Sequence, residues 1–171
     1  MSERPSLRVR DLLAHPAFAG AHVVAGGVGL DRVVRRANVM EVPDIVDWVK
    51  PHELLLTTGY PLREVPGGLA SLVSNLDDAQ VAALGVKLRR YLDELPPAMI
   101  AEADRRGLPL LLLPDQVAFD DLLTAIMSGV LEQRAPVVEQ GEQVHQALLD
   151  VVLGGGGLEE LVDALRDHVE G

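Results

Sequence analysis

Two aliphatic runs constrain the fold of this 171-residue chain more than any other feature: Glu53-Leu54-Leu55-Leu56-Thr57-Thr58-Gly59 and Leu108-Pro109-Leu110-Leu111-Leu112-Leu113-Pro114. Neither alternates apolar with polar residues, as a strand with one wet face does. Short unalternating runs closed by glycine or proline belong to strands covered on both faces, as in a parallel sheet flanked by helices. The sequence between them supplies such helices. Gly68 to Leu76 sets Leu69, Leu72, Val73 and Leu76 at three- and four-residue steps. Pro96 to Arg106 has proline near its first turn, apolar Met99, Ile100 and Ala103, arginines in its last turn, and Gly107 as a stop. Val81 to Leu88 reads as a strand, because it is short and Gly85 and Val86 sit poorly in a helix. Strand, helix, strand, helix, strand from 53 to 113 is the mark of βαβ units. Leu54–Gly59 and Leu108–Leu113 are expected to lie side by side inside the sheet.

Before this region, Ser6 to His15 predicts a short helix ended by Pro16. His22 to Ala25 and Val33 to Val42 are β-prone runs around Gly26-Gly27-Val28-Gly29, the pattern of a hairpin or a tight strand-to-strand turn. Pro43 to Lys50 is a loop or short helical turn carrying Trp48. Beyond Asp115 the pattern changes. Phe119 to Val130 is a strongly apolar helix, and Leu123, Val130, Val137, Val144 and Val151 recur at every seventh position. The companion positions Ile126, Gln133, Gln140 and Ala147 are mostly polar or small, and Pro136 and Gly141 interrupt the repeat. Two readings fit: a helix folded back on its own domain, or a dimer stem through Leu123, Ile126, Val130, Val137 and Val144. Gly154 to Gly157 read as a joint, and Leu158, Leu161, Val162 and Leu165 as the opening of a further domain. The expected architecture is α/β: a mixed, mainly parallel sheet flanked by helices (6–118), a long C-terminal helical extension (119–153), and the glycine joint with the start of another domain (154–171).

Composition narrows the partners. The net charge of −11 repels a phosphate backbone, although residues 1–36 carry +3 through Arg4, Arg8, Arg10, Arg32, Arg35 and Arg36. Aromatic residues make up only 3% of the chain, too few for the stacking platforms that hold single strands. Direct binding of DNA by this chain is therefore not expected. The absence of cysteine removes disulfides, thiolate metal sites and thiol nucleophiles. No apolar run reaches the roughly 18 residues of a membrane span, and the N-terminus lacks the apolar core of a secretory signal. A cytoplasmic protein is expected.

Few residues point to chemistry. Gly26-Gly27-Val28-Gly29 lacks both the spacing and the Lys-Ser/Thr ending of a phosphate loop and reads as a turn. The five histidines are dispersed, with none of the spacings that place metal ligands on one helix face, so neither metal nor cofactor is expected. Glu41, Asp44, Asp47 and Glu53 cluster in sequence without a nucleophile or histidine partner, and no catalytic residue is assigned. A strand end is more informative. Ligands in open parallel sheets sit beyond the carboxyl ends of the strands. Thr57, Thr58 and Gly59 close one strand, Gly85 and Lys87 lie near the end of the next, where Lys87 could meet an anion, and Glu41 is close by. The two threonines could equally favour the strand and cap the following turn.

The ordered set Leu7-Arg8-Val9-Arg10-Asp11-Leu12-Leu13, Gly29-Leu30-Asp31-Arg32-Val33-Val34-Arg35, Val39-Met40-Glu41-Val42-Pro43-Asp44 and Glu53 to Gly59, followed by Gly85-Val86, Pro96-Pro97, Gly107-Leu108-Pro109-Leu110 and Pro114, resembles the N-terminal domain of the PucR family of bacterial transcription factors over roughly residues 6 to 130. The resemblance implies a non-catalytic sensor region responding to a small metabolite of nitrogen or purine breakdown. It also implies that DNA is read by a helix-turn-helix in a C-terminal domain that this chain does not contain, and together with the seven-residue valine repeat it points to a homodimer. Two other readings compete: a small enzyme using Glu41 or Glu53 as base on a polar nitrogenous metabolite, and an interaction domain with no ligand.

Overall fold

The computed structural model describes residues 6–64, 68–88 and 93–132. Five strands form one sheet among these residues: β1 (His22–Ala25), β2 (Arg36–Val39), β3 (Glu53–Thr57), β4 (Ala83–Val86) and β5 (Leu110–Leu112), in the spatial order β1-β5-β4-β3-β2. Strands β2 to β5 run parallel, and β1 pairs antiparallel with β5. The helices are α1 (Val9–Leu13), α2 (Leu69–Asp78), α3 (Pro97–Arg106) and α4 (Phe119–Glu132). Local chemistry accounts for the boundaries. Pro97 starts α3 where no backbone donor is needed, and Gly107 ends it at φ +62°. The Asp11 carboxylate accepts the Arg8 backbone N–H at the start of α1.

The pleat assigns each strand residue to one of two cores. Leu55, Leu84, Val86 and Leu110 face α2 and α3, packing with Leu72, Leu76, Met99 and Ala103. Leu54, Leu56, Ala83, Leu111 and Leu113 face the other way, against Leu12 of α1 and Leu122, Ala125, Ile126 and Val130 of α4. Both faces of β3 and β4 are thus dry, which is why their sequences do not alternate. Right-handed crossovers between adjacent parallel strands put α2 and α3 on the same side.

Two expectations are corrected. The two apolar runs are not neighbours: β4 lies between β3 and β5, since successive crossovers lay the strands down in chain order. The runs flanking the glycine loop do not form a hairpin, because β1 and β2 occupy opposite edges of the sheet. The chain instead crosses the amino ends of the strands, where Val34 N–H donates to Leu7 O (2.7 Å) and Arg35 N–H to His52 O (2.9 Å). Gly26, at φ +68°, and Gly29 permit this route: a Cβ on either would overlap a backbone carbonyl of the α3–β5 turn, Leu108 O or Gly107 O. Of the two readings of the helix after 118, the packing of its described part matches a helix folded back on its own domain: a compact unit extends to Val130. Ile126 is fully buried and Val130 nearly so, Leu123 is half-buried in the same core, and Gly129 lets α4 approach Leu7 closely. These three side chains of the expected dimer stem pack inside the unit. Val137 and Val144, the extension beyond Glu132 and the segment 154–171 lie outside the described residues.

Candidate functional site

Backbone pairing sets the level at which the parallel strands end. Met40 N–H donates to Leu56 O (2.7 Å), Lys87 N–H to Thr57 O (2.9 Å), and Leu113 N–H to Val86 O (2.9 Å). Glu41, Thr58 and Lys87 therefore come together beyond the carboxyl ends, where parallel sheets leave room for ligands. A hollow of about 450 Å³ opens there, lined by Val39, Met40, Glu41, Thr58, Tyr60, Pro61 and Phe119. Its walls are largely apolar, with one carboxylate, one aliphatic hydroxyl and one phenol, the mixture typical of small-molecule sites. Phe119 is the first residue of α4, so the hollow borders the helix that covers one face of the sheet.

The expected site residues separate into distinct roles. Glu41 and Thr58 line the hollow. Thr57 is completely buried and its Oγ1 accepts the Gly59 N–H (3.2 Å), so its hydroxyl caps the turn. Gly59 makes that turn at φ +81°. Gly85 lies inside β4 between Leu56 and Leu113, each with a methyl 3.0 Å from where a Cβ would stand. It serves close packing beneath α4. Lys87 faces the α4 side, where its ammonium donates to Val117 O and stands 4.9 Å from the centre of the Phe119 ring. Burial pushes its pKa below the usual lysine range, opposed by the nearby charges of Asp115 and Asp121. Its cation is thus spent on the β5–α4 connection.

The acidic cluster does not converge. Glu53 begins β3 at the opposite end of the sheet from Glu41, about 16 Å away along the strand direction at the usual rise per residue. It is buried, and its Oε2 accepts the Lys50 N–H (2.7 Å). The glycine loop offers no phosphate cradle either: Gly26 N–H points at a carboxylate, Asp104 Oδ1 (2.7 Å). A second hollow, of about 270 Å³, lies at the amino ends between Arg32, His52, Asp77 and Gln80. Its guanidinium is already committed, since Arg32 donates to Val81 O (3.0 Å), Asp77 Oδ1 (2.5 Å) and Arg106 O (3.3 Å). Arg106 continues this network to Asp78 (2.6 Å) and Glu102 (3.2 Å), which also accepts from Arg105 and Ser74. These donors hold the Glu102 carboxyl down at about 2. The network ties the crossing segment to α2 and α3.

Sequence reading misses Val39, Met40 and Pro61 on the wall and, more consequentially, its two aromatic residues, Tyr60 and Phe119. Tyr60 is an exposed aromatic directly after the Gly59 turn, a signal open to detection. Phe119 reads as the first core residue of an apolar helix, and only the fold brings it to a strand end. Among the described residues no group of three or more His, Cys, Asp or Glu could hold a metal ion, and no helix is long and apolar enough to cross a membrane.

Comparison with known proteins identifies the relatives of this chain. A family model described as the purine catabolism regulatory protein-like family, PucR, matches residues 11–130, from α1 to the last buried residue of α4. The chain is 33% identical over 164 residues to a purine catabolism regulatory protein of Bacillus subtilis (strain 168), covering 96% of this chain and 31% of that protein. It is also 33% identical over 117 residues to the transcriptional activator PmfR of Paenarthrobacter nicotinovorans, covering 68% of this chain and 25% of that protein. The chain spans less than a third of the length of these relatives. Matched by the family model over residues 11–130 and 33% identical to a purine catabolism regulatory protein over 96% of its length, this chain belongs to the PucR, purine catabolism regulatory protein-like, family.

Proposed function

We propose that this chain is the metabolite-sensing, regulatory part of a PucR-family transcriptional regulator and that its effector occupies the hollow beyond β2 and β3. The observation that carries this reading is the composition of the wall: polar Glu41, Thr58 and Tyr60 share it with the first residue of α4. A ligand touching Phe119 favours one position of α4 over another, and so biases whatever follows that helix. The names of the relatives, one of them a regulator of purine catabolism, direct the search to small nitrogenous metabolites of purine and ureide type. DNA is contacted by another part of the regulator, in keeping with the −11 charge of this chain.

Melting the purified chain across a panel of purines and ureides tests this. A ligand at a hundred times its Kd adds about 2.7 kcal/mol to the folded state, a readily measured rise in Tm. The rise is expected to shrink sharply in Thr58→Val and Tyr60→Ala. A panel with no effect favours the ligand-free interaction domain. Turnover of any compound, abolished by Glu41→Gln, would favour the enzyme, for which Glu41 has no acid–base partner in Glu53 at the other end of the sheet.

A second reading concerns self-association. With Ile126 and Val130 buried, α4 leaves Met127 (46% exposed) and Leu131 (60%) on its surface, four residues apart on one face. Homodimerisation through this stripe would put the regulator's two copies in register. Sedimentation of the chain and of Met127→Glu tests it: loss of a dimer supports the stripe, and a wild-type monomer at high concentration removes it.

A further inference from the structure

We propose that Lys87 is the positioning residue of the carboxyl-end hollow: its ammonium pins the connection between β5 and α4, and so sets where Phe119 stands on the wall. The inference deepens the reading of that hollow as the effector site, by naming what fastens the wall that leads into α4. One end of the pin is rigid. Lys87 directly follows β4, and its backbone N–H donates to Thr57 O (2.9 Å), so its stem rises from the same strand ends that carry Thr58. The other end is not buried. Asp115, Gln116 and Ala118 of the connection are exposed. The ammonium donates to Val117 O and stands 4.9 Å from the centre of the Phe119 ring, so it grips both the connection and the first residue of α4. Further along, α4 is held by Leu122, Ile126 and Val130 in the apolar core, with Gly129 against Leu7. Apolar burial is non-directional, whereas a charge-assisted hydrogen bond and a cation over a ring fix distance and orientation. Orientation at the start of α4 therefore rests on Lys87. The charges of Asp115 and Asp121 act on the same ammonium and give it other partners when Val117 and Phe119 turn away. Two sets of partners for one cation make a two-state element, biased by whatever occupies the face of Phe119 toward the hollow.

Two variants of the full chain test the pin without any ligand. Lys87→Met keeps an unbranched apolar stem and removes the cation, and Lys87→Arg restores a cation of similar reach. Amide hydrogen exchange at Leu122 to Ala125 is expected to be about tenfold faster in Lys87→Met, with Leu55 and Leu84 changed by less than about threefold. Lys87→Arg should return α4 to the wild-type rate. Relaxation dispersion on Lys87→Met should show Thr58 and Tyr60 exchanging with the same rate constant as Phe119 and Leu122, because wall and helix then move together. Unchanged protection of α4 in Lys87→Met overturns the pin. Equal acceleration of α4 and of the sheet overturns it too, since Lys87 then contributes only to overall stability. A loosened α4 beside quiet Thr58 and Tyr60 overturns the link to the hollow. A metabolite panel that binds nowhere, with the exchange results as expected, supports the pin and overturns only the effector reading.

Discussion

Replacing Ile126 with alanine distinguishes a helix that completes the core from a helix that waits for a partner. Ile126 is fully buried among Leu54, Leu56, Leu111 and their neighbours on the α4 face of the sheet. Alanine removes three carbons, costing about 2.4 kcal/mol in transfer at about 0.8 kcal/mol per methylene. If about half of the vacated volume persists as a cavity, about 1 kcal/mol more is lost, so the expected loss is about 3.5 kcal/mol. For a unit of this size that lowers Tm by about 10 °C. Urea unfolding followed by circular dichroism is the assay, with an unchanged m-value as the sign that only stability has moved. The loss should be the same at protein concentrations a hundredfold apart, because the contacts lie within one chain. Met127→Ala, one residue away and half exposed, should cost less than about 0.5 kcal/mol. An Ile126→Ala loss below about 1 kcal/mol, or one that appears only on dilution, would refute the packing of α4 described above.

Other consequences follow from the same structure. Gly26→Ala should prevent folding or cost more than about 3 kcal/mol, since it combines φ +68° with overlap of Leu108 O, while Gly27→Ala, with open space around it, should be neutral in the same melt. Arg32→Lys should cost about 1–3 kcal/mol in urea unfolding, because an ammonium cannot span the Val81, Asp77 and Arg106 oxygens that the guanidinium reaches. Glu102 has a folded pKa of about 2 against an ordinary value of 4.5, so its contribution is complete above about pH 4.5 and is lost as pH falls toward 2. Urea midpoints measured between pH 2 and 6 should fall less steeply in Glu102→Gln; an unchanged slope removes the linkage.

The interior of the fold was legible from residue order alone. The β3 and β5 runs, the Leu69–Leu76 stripe and the proline-to-glycine span of α3 each carry a local signal, and the structure honours it. What failed was pairing between distant segments. Gly26 and Gly29 look like turn glycines in sequence, yet they serve a close approach to residues 107 and 108, and only the fold supplies that neighbour. Leu123, Ile126 and Val130 have the three- and four-residue spacing shared by a dimer seam and by a helix lying on its own sheet, so periodicity cannot separate the two. At the carboxyl ends of the strands, the strand-end rule brought Glu41 and Thr58 to the wall of one hollow. The same rule misjudged Lys87, whose partners Val117 and Phe119 lie 30 or more residues further on.

The most direct measurement is an amide and methyl shift map of the labelled chain titrated with nitrogenous metabolites. Shifts confined to Glu41, Thr58, Tyr60 and Phe119 and spreading into α4 are the predicted result. Shifts centred on Arg32, His52 and Gln80 at the opposite end of the sheet, or none with any compound, would contradict it.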